Sequence, residues 1–360
     1  MCRTFNTIGS LTTLKSHLKN SNIHDFKSLK EVMDFQSSYT ATRQQLILHY
    51  ENLVEQEKNI LKLDLEQLDA AIEIQKQETA QRLINEMDSL KQQLHISNNH
   101  SSTNFVQKIT RGLRNRKYKR KIKEKEQHFE SEVQMAISAL VSDYQVKTNR
   151  YEFIAFHFDE AVRQSARHPL SELERKKTTI DGLNNFIYGA IGEQKVVKTL
   201  QALPDDYCLI NDFDVSFSRA IYNGQENDYI KSVQIDHILV APSGIFLIET
   251  KNWSEQSLAN LSLRSPVEQI RRTNFALFML LNKGIGKYHL RLDQHHWGDK
   301  KITIRNLVVL MNTKPKEEFQ HVKILTLHEL VSYVNYFKPI FTSAETQQIA
   351  DFLINFNKEN

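Results

Sequence analysis

Proline and glycine are nearly missing from the first half of this chain. All six prolines (Pro169, Pro204, Pro242, Pro266, Pro315, Pro339) follow residue 168, and eight of the ten glycines follow residue 181. The first 168 residues hold only Gly9 and Gly112. Both residue types oppose helix interiors, proline by removing an N–H and crowding the preceding turn, glycine through its backbone entropy. Their distribution excludes a single domain of uniform texture over 360 residues and points to a long helical front half and a globular back half. Cysteine is scarce as well. Cys2 and Cys208 cannot build a disulfide framework, and no Cys/His spacing suits zinc. The longest apolar run, Phe275–Leu281, falls far short of the ~18 residues a membrane span needs. The opening Met1–Thr7 has no apolar stretch of the secretory kind. The expectation is a cytoplasmic protein in a reducing compartment with no membrane partner.

What the front half does contain is helical periodicity. Apolar residues recur at three- and four-residue steps in Leu61, Leu65, Leu68 and Ile72, then Leu83, Met87, Leu90 and Leu94, with Gln and Glu between them. Such a narrow stripe suits a coiled-coil seam. A polar break, Ser97–Asn104, carries turn chemistry. Helix then resumes to about Arg167, with one seam through Val133, Leu140, Lys147, Ile154 and Ala161 and another through Ile137, Tyr144, Tyr151 and Phe158. Two long helices joined by a short loop predict an antiparallel hairpin over residues 38–168, each arm on the order of 85–95 Å. Residues 1–37 read as a helical cap on its base, and 169–184 as a linker.

Charge is unevenly spread. The net charge is +4, yet Phe105–Lys125 alone holds ten Lys or Arg and one acid. The side chains concerned include Arg111, Arg114, Arg116, Lys117, Lys119, Arg120 and Lys121. Such a density can neutralise nucleic-acid phosphates. It can equally be a solvated helix face that pairs with acids of the neighbouring arm such as Glu86 and Asp88. The coiled coil itself fits a homodimer or a partner protein.

The back half has the order α-β-β-β-α-β-β-α-α, which implies a mixed sheet flanked by helices. Asn185–Leu203 reads as a helix with Gly189 and Gly192 near its start. Strands are expected at Tyr207–Ile210, Asp214–Ser218, Ile230–Val240, Ile245–Lys251, Thr303–Met311 and Val322–Thr326. Ser265-Pro266-Val267-Glu268 starts a helix: serine caps it, proline takes the first position and glutamate closes a capping box. Residues 327–360 supply two more helices.

The chemistry concentrates in Gln234–Asn252. Ala241-Pro242-Ser243-Gly244 reads as a hairpin loop between two apolar strands. If Val240 pairs with Ile245, Asp236 lies opposite Glu249, and Glu249 shares a face with Lys251. Facing carboxylates among apolar residues are unfavourable alone, and a hard divalent cation between them, Mg²⁺ or Mn²⁺, removes that cost. Two carboxylates, such a metal and a lysine suit phosphodiester hydrolysis. An Asp–Lys–Glu ion cluster at a sheet edge is the alternative reading. His237 alternates to the face opposite Asp236 and reads as packed. Arg271 and Arg272, one turn past Gln269, are placed to meet phosphate. The loop histidines His289, His295 and His296, with Trp297, carry a weaker suggestion of a metal or base platform.

Ile235-Asp236-His237 followed by Gly244–Trp253 resembles the core of the nuclease-related domain, NERD, of the PD-(D/E)xK nuclease superfamily. Gly189-Ala190-Ile191-Gly192-Glu193 resembles that family's opening Gly-x-x-Gly-Glu helix, and Pro266-Val267-Glu268-Gln269 its Pro-x-x-Gln helix start. The resemblance covers about Asn185–Asn312. It implies an α+β chain in which the hairpin precedes a restriction-endonuclease-like α/β/α domain over 185–326. It further implies that Asp236 and Glu249 ligate metal, with Glu193 as an additional metal-side carboxylate. Lys251 would serve the scissile phosphate and the water, and Gln269 would line the site. The function implied is a Mg²⁺-dependent nuclease acting preferentially on DNA, in bacterial DNA processing or anti-phage defence. The alternatives are a nuclease-like module that binds nucleic acid without cutting it, and a coiled-coil scaffold.

Overall fold

The computed structural model describes residues 1–99, 105–253, 264–283, 302–315 and 317–359. Its strands are β1 (Arg3–Phe5), β2 (Cys208–Asn223), β3 (Asp228–Ala241), β4 (Gly244–Lys251), β5 (Ile304–Leu310) and β6 (Val322–Thr326). Its α-helices, numbered along the chain, are α1 (Gly9–Asn20), α2 (Leu29–Asn99), α3 (Phe105–Phe156), α4 (Phe158–Gly182), α5 (Asn184–Leu200), α6 (Arg264–Lys283), α7 (Leu330–Asn335) and α8 (Ser343–Glu359). A fold of class α+β results, and it divides into two compact units, one of residues 1–38 with 175–360 and one of residues 39–174. No helix among the described residues is long and apolar enough to cross a membrane.

The 39–174 unit is an antiparallel helical hairpin. Cross-arm contacts run along it in one register: Arg150 forks onto Glu57 at 2.7 and 2.9 Å, Lys147 Nζ meets Asp64 Oδ2 at 2.7 Å, Lys125 pairs with Glu86, and Asn115 Nδ2 donates to Asn98 Oδ1 at 2.7 Å. Val133, Ile137, Ile154 and Ala161 of the expected seams are buried, as is Leu83 opposite.

The other unit is built on a mixed sheet in the order β1-β2-β3-β4-β5-β6. The central pairs β2–β3 and β3–β4 are antiparallel, and the outer pairs β1–β2, β4–β5 and β5–β6 are parallel. Cores lie on both faces. Residues of α6 and α8 cover Ile235, Ile238, Val240, Ile245 and Leu247 on one side. Residues of α5 and α7 cover Leu209, Leu239, Phe246 and Ile248 on the other. The second half of α5 (Val196, Leu200) packs on the sheet, while its first half (Ile187, Ala190) packs on α1 through Leu14 and Leu18. Its middle therefore sits over the sheet end.

Several boundaries differ from expectation for identifiable reasons. Residues 1–38 cluster with the sheet unit, because Arg3–Phe5 extend the sheet and α1 packs on α5. The stretch expected as a linker, 169–184, is helical through Gly182 and includes Pro169. An internal proline deletes one hydrogen bond, and the turns beyond it are anchored here by Ile180 in the core it shares with α1. The two strands expected at Tyr207–Ile210 and Asp214–Ser218 are one, β2, which passes through Asn211-Asp212 with Asp212 at φ 47°. The hairpin loop is shorter than four residues: Ala241 pairs with Gly244, leaving Pro242-Ser243 as the turn.

Candidate active site

β3 and β4 pair as Val240↔Ile245 through His237↔Ile248, the register anticipated from the sequence, and this brings Asp236 to the end of the ladder beside Glu249. Alternation, however, is not strict there. On the face covered by α6, β2 presents Cys208 and Ile210, then Phe213 and Val215, while β3 presents Val233 and Ile235, then Ile238 and Val240. Each set contains one step of three, at the same level of the sheet, with Asn211↔His237 and Phe213↔Ile235 paired on either side. Both strands slip together, and Asp212 and Asp236 lie at the slip. Only unbroken alternation would put His237 opposite Asp236, and at this level alternation is broken. His237 is nevertheless packed. It is fully buried, its Nδ1 lies 2.8 Å from Asn211 Oδ1, and burial pushes its pKa down to about 3, which keeps it neutral.

Asp236 is half-buried and accepts the backbone N–H of Thr250 on Oδ2 at 2.7 Å. Lys251 Nζ donates to Glu249 Oε1 at 2.7 Å, the lysine side chain 25% exposed and the glutamate 2%. Glu249 Oε2 is buried with no hydrogen-bond partner among the described residues. Burial, then the Glu249 charge, raise the Asp236 pKa to about 7. Burial raises that of Glu249 also, against the pull of Lys251. Burial works against the Lys251 ammonium, but Glu249 and Asp236 outweigh it and the pKa rises. The centre is therefore acid-rich, with one ammonium at its mouth.

Glu193 reaches this centre from α5. Burial, then Asp236, raise its pKa to about 7, and its carboxylate is bound by Ser10. Gly192 lets α5 come close: a Cβ there would lie 3.0 Å from Asn252 Cβ and 3.2 Å from Thr250 Cγ2. Asn252 Nδ2 completes the junction by donating to Tyr188 O at 2.8 Å. Gln269 of α6 donates to the carbonyl of Gln234 at 3.3 Å, two residues along β3 from Asp236. Arg272 lines a cleft of about 390 Å³ with Gln269 and Gln234, and pairs with Asp228 at 3.1 Å. Arg271 instead donates to Gln320 O at 2.8 Å. The structure thus gathers Asp236, Glu249, Lys251 and Glu193, sets Gln269 and Arg272 at their flank, and turns Arg271 elsewhere.

The acids of this centre, with Lys251 and Gln269, fall in a single stretch recognised by comparison with known families. Residues 188–311 match the nuclease-related domain, NERD. This stretch, about a third of the chain, is therefore similar to a nuclease-related domain, and Glu193, Asp236, Glu249, Lys251 and Gln269 all lie within it. No curated protein and no solved structure gives a match. Ser10, which binds Glu193, lies outside that stretch, and no local pattern connects the two across 183 positions.

The donor set of this centre fits a hard divalent cation in chemistry and in one specific respect: an unpartnered, buried carboxylate oxygen on Glu249 beside a second carboxyl on Asp236. Among the described residues no three His, Cys, Asp or Glu side chains converge as a ready-made cage. The fit is of a cation with few protein ligands, as Mg²⁺ with retained waters prefers. His289, His295, His296 and Trp297 lie outside the described residues.

On the hairpin, Arg114, Arg116, Lys117, Lys119 and Lys121 are exposed and form no ion pair among the described residues, whereas Arg120 pairs with Glu124 at 2.7 Å. Lys125 takes the cross-arm pairing anticipated with Glu86. Arg111 is partly buried.

Proposed function

We propose that this protein is a metal-dependent nuclease that hydrolyses phosphodiester bonds, with DNA as the preferred substrate. One observation carries the reading: the Lys251–Glu249 pair set beside Asp236 at the end of the β3–β4 ladder. Asp236 and Glu249 are the residues that would hold Mg²⁺ or Mn²⁺, with Glu193 as the nearby third acid. A cation bound there supplies Lewis acidity to the phosphate and lowers the pKa of water. Lys251 offers the ammonium that meets the negatively charged phosphate oxygens and orients water, while Glu249 fixes its position. Thr250 N–H fixes Asp236. The cleft with Gln269 and Arg272 gives the strand a flank to follow.

The exposed cations Arg114, Arg116, Lys117, Lys119 and Lys121, with Arg111 and Arg120, form the candidate nucleic-acid contact of the hairpin, and the coiled coil can also take a second copy or a partner protein. The role we infer for it is a cytoplasmic one in bacterial DNA processing or anti-phage defence. The second reading is a module that binds nucleic acid without cutting it. The five exposed cations of the hairpin, which can neutralise phosphates without any cleavage step, favour it. The purified protein with Mg²⁺ or Mn²⁺ and plasmid, linear duplex, single-stranded DNA or RNA distinguishes them: metal-dependent product supports the nuclease, and salt-sensitive binding without product supports the binder.

A further inference from the structure

The first 23 residues lie far outside the NERD-like stretch, separated from it along the chain by the whole hairpin, yet they meet it at four places, one of them an acid of the centre. Arg3–Phe5 add a parallel edge strand to β2. Asn6 and Asn211 exchange side-chain bonds with each other's carbonyls, both at 3.2 Å, and Asn211 in turn holds His237. Gly9 lies against Asp212, where a Cβ would stand 2.6 Å from Oδ1. Ser10 grips Glu193 with two donors, its hydroxyl on Oε1 and its backbone N–H on Oε2 at 3.3 Å.

Both donors belong to the first turn of α1. The N–H groups there have no acceptor within the helix, and the helix dipole favours a carboxylate. Gly189 makes room, since a Cβ at that position would meet Ser10 Oγ at 2.8 Å. Glu193 is only 4% exposed. A purely structural contact at such a place would be better served by apolar packing, because a buried carboxylate must recover its lost hydration. Here it is retained, bound on both oxygens and held beside another acid.

We propose that Ser10 is a positioning residue of the nuclease site: it fixes the Glu193 carboxylate next to Asp236, so that the N-terminal segment is a working part of the centre. The inference rests on the nuclease reading.

The test uses the full chain as Ser10→Ala, Ser10→Thr, Glu193→Gln and the Ser10→Ala/Glu193→Gln double variant. Three quantities are read: Mn²⁺ affinity by calorimetry without nucleic acid, kcat and KM for DNA cleavage, and Tm in EDTA. Ser10→Ala is expected to weaken Mn²⁺ binding and lower kcat by about 10- to 100-fold, the range for residues that orient metal ligands, with KM little changed. Ser10→Thr restores both, and Ser10→Ala has no further effect in the Glu193→Gln background. Parental Mn²⁺ affinity and kcat in Ser10→Ala overturn the inference while leaving the nuclease reading intact. So does a loss that follows Tm and is not rescued by threonine, or one that persists in full in the Glu193→Gln background. A parent protein that neither binds Mn²⁺ nor cuts overturns both.

Discussion

The backbone N–H of Thr250 holds Asp236 Oδ2 at 2.7 Å, so the strand that carries Glu249 and Lys251 also fixes the acid opposite them. That bond stabilises the ionised form of a carboxyl that burial and Glu249 push toward neutrality. Asp236→Asn removes the charge conflict along with the function. It should lower cleavage by at least ~100-fold, the scale for losing one preorganised electrostatic group, and should raise Tm in EDTA. A variant both inactive and less stable would contradict the assignment.

The same conflict sets a pH dependence. Unfolded, Asp236 and Glu193 lose their protons near 3.8 and 4.5; folded, they hold them to about 7. Between these limits the native state binds more protons, so the contribution is a stability present at low pH and lost as pH rises through about 7. Metal-free protein should lose Tm from this source between about pH 5 and pH 8, and added Mg²⁺ should restore more at the upper end of that window than at the lower. The Glu193→Gln/Asp236→Asn double variant should flatten both effects. Thermal melts with and without Mg²⁺ at the two pH values check this, and an equal Mg²⁺ increment at both would count against it.

Two glycines separate stability from positioning. Gly244 has φ 127°, and a Cβ there would lie 2.7 Å from Thr303 O. Gly244→Ala should cost about 1–3 kcal/mol in urea unfolding, the scale of local backbone strain, through the β3–β4 turn. Gly192→Ala presses instead on Asn252 and Thr250, beside the acids. Its kcat should fall by more than its stability change explains, and a Gly192→Ala enzyme with parental kcat would argue against a close α5–β4 fit as a requirement.

The hairpin prediction concerns salt. Replacing Arg114, Arg116, Lys117, Lys119 and Lys121 together with glutamine should weaken duplex DNA binding at least ~10-fold at about 0.1 M salt, and the slope of log K against log salt should become shallower by about one for each phosphate no longer neutralised. Anisotropy titrations across salt measure both. An unchanged slope would assign the stretch to a solvated coiled-coil face.

Much of this is legible in the sequence because it depends on local pattern. The heptad seam through Val133, Ile137 and Ile154 announces the hairpin, and Val240 and Ile245 around a Pro-Ser turn set the register that brings Asp236 to Glu249. Helix α6 begins within a residue or two of the expected Ser265-Pro266 start. What escapes depends on distant contacts. Arg3–Phe5 is a strand only because β2 offers an edge, and nothing within Ile8-Gly9-Ser10 points to Glu193. The coordinated slip at Asp212 and Asp236 is a property of two paired strands, invisible to a rule of alternation applied to one. Pro169 marks a boundary by composition alone, yet it sits inside a helix that packing beyond it sustains.

Cleavage of plasmid DNA by the parent protein and by Lys251→Ala, each with Mg²⁺ and with EDTA, tests the central claim most directly. The account predicts product from the parent only with Mg²⁺, and at least ~100-fold less from a folded Lys251→Ala. Cleavage by Lys251→Ala at the parental rate, or equal cleavage in EDTA, would contradict it.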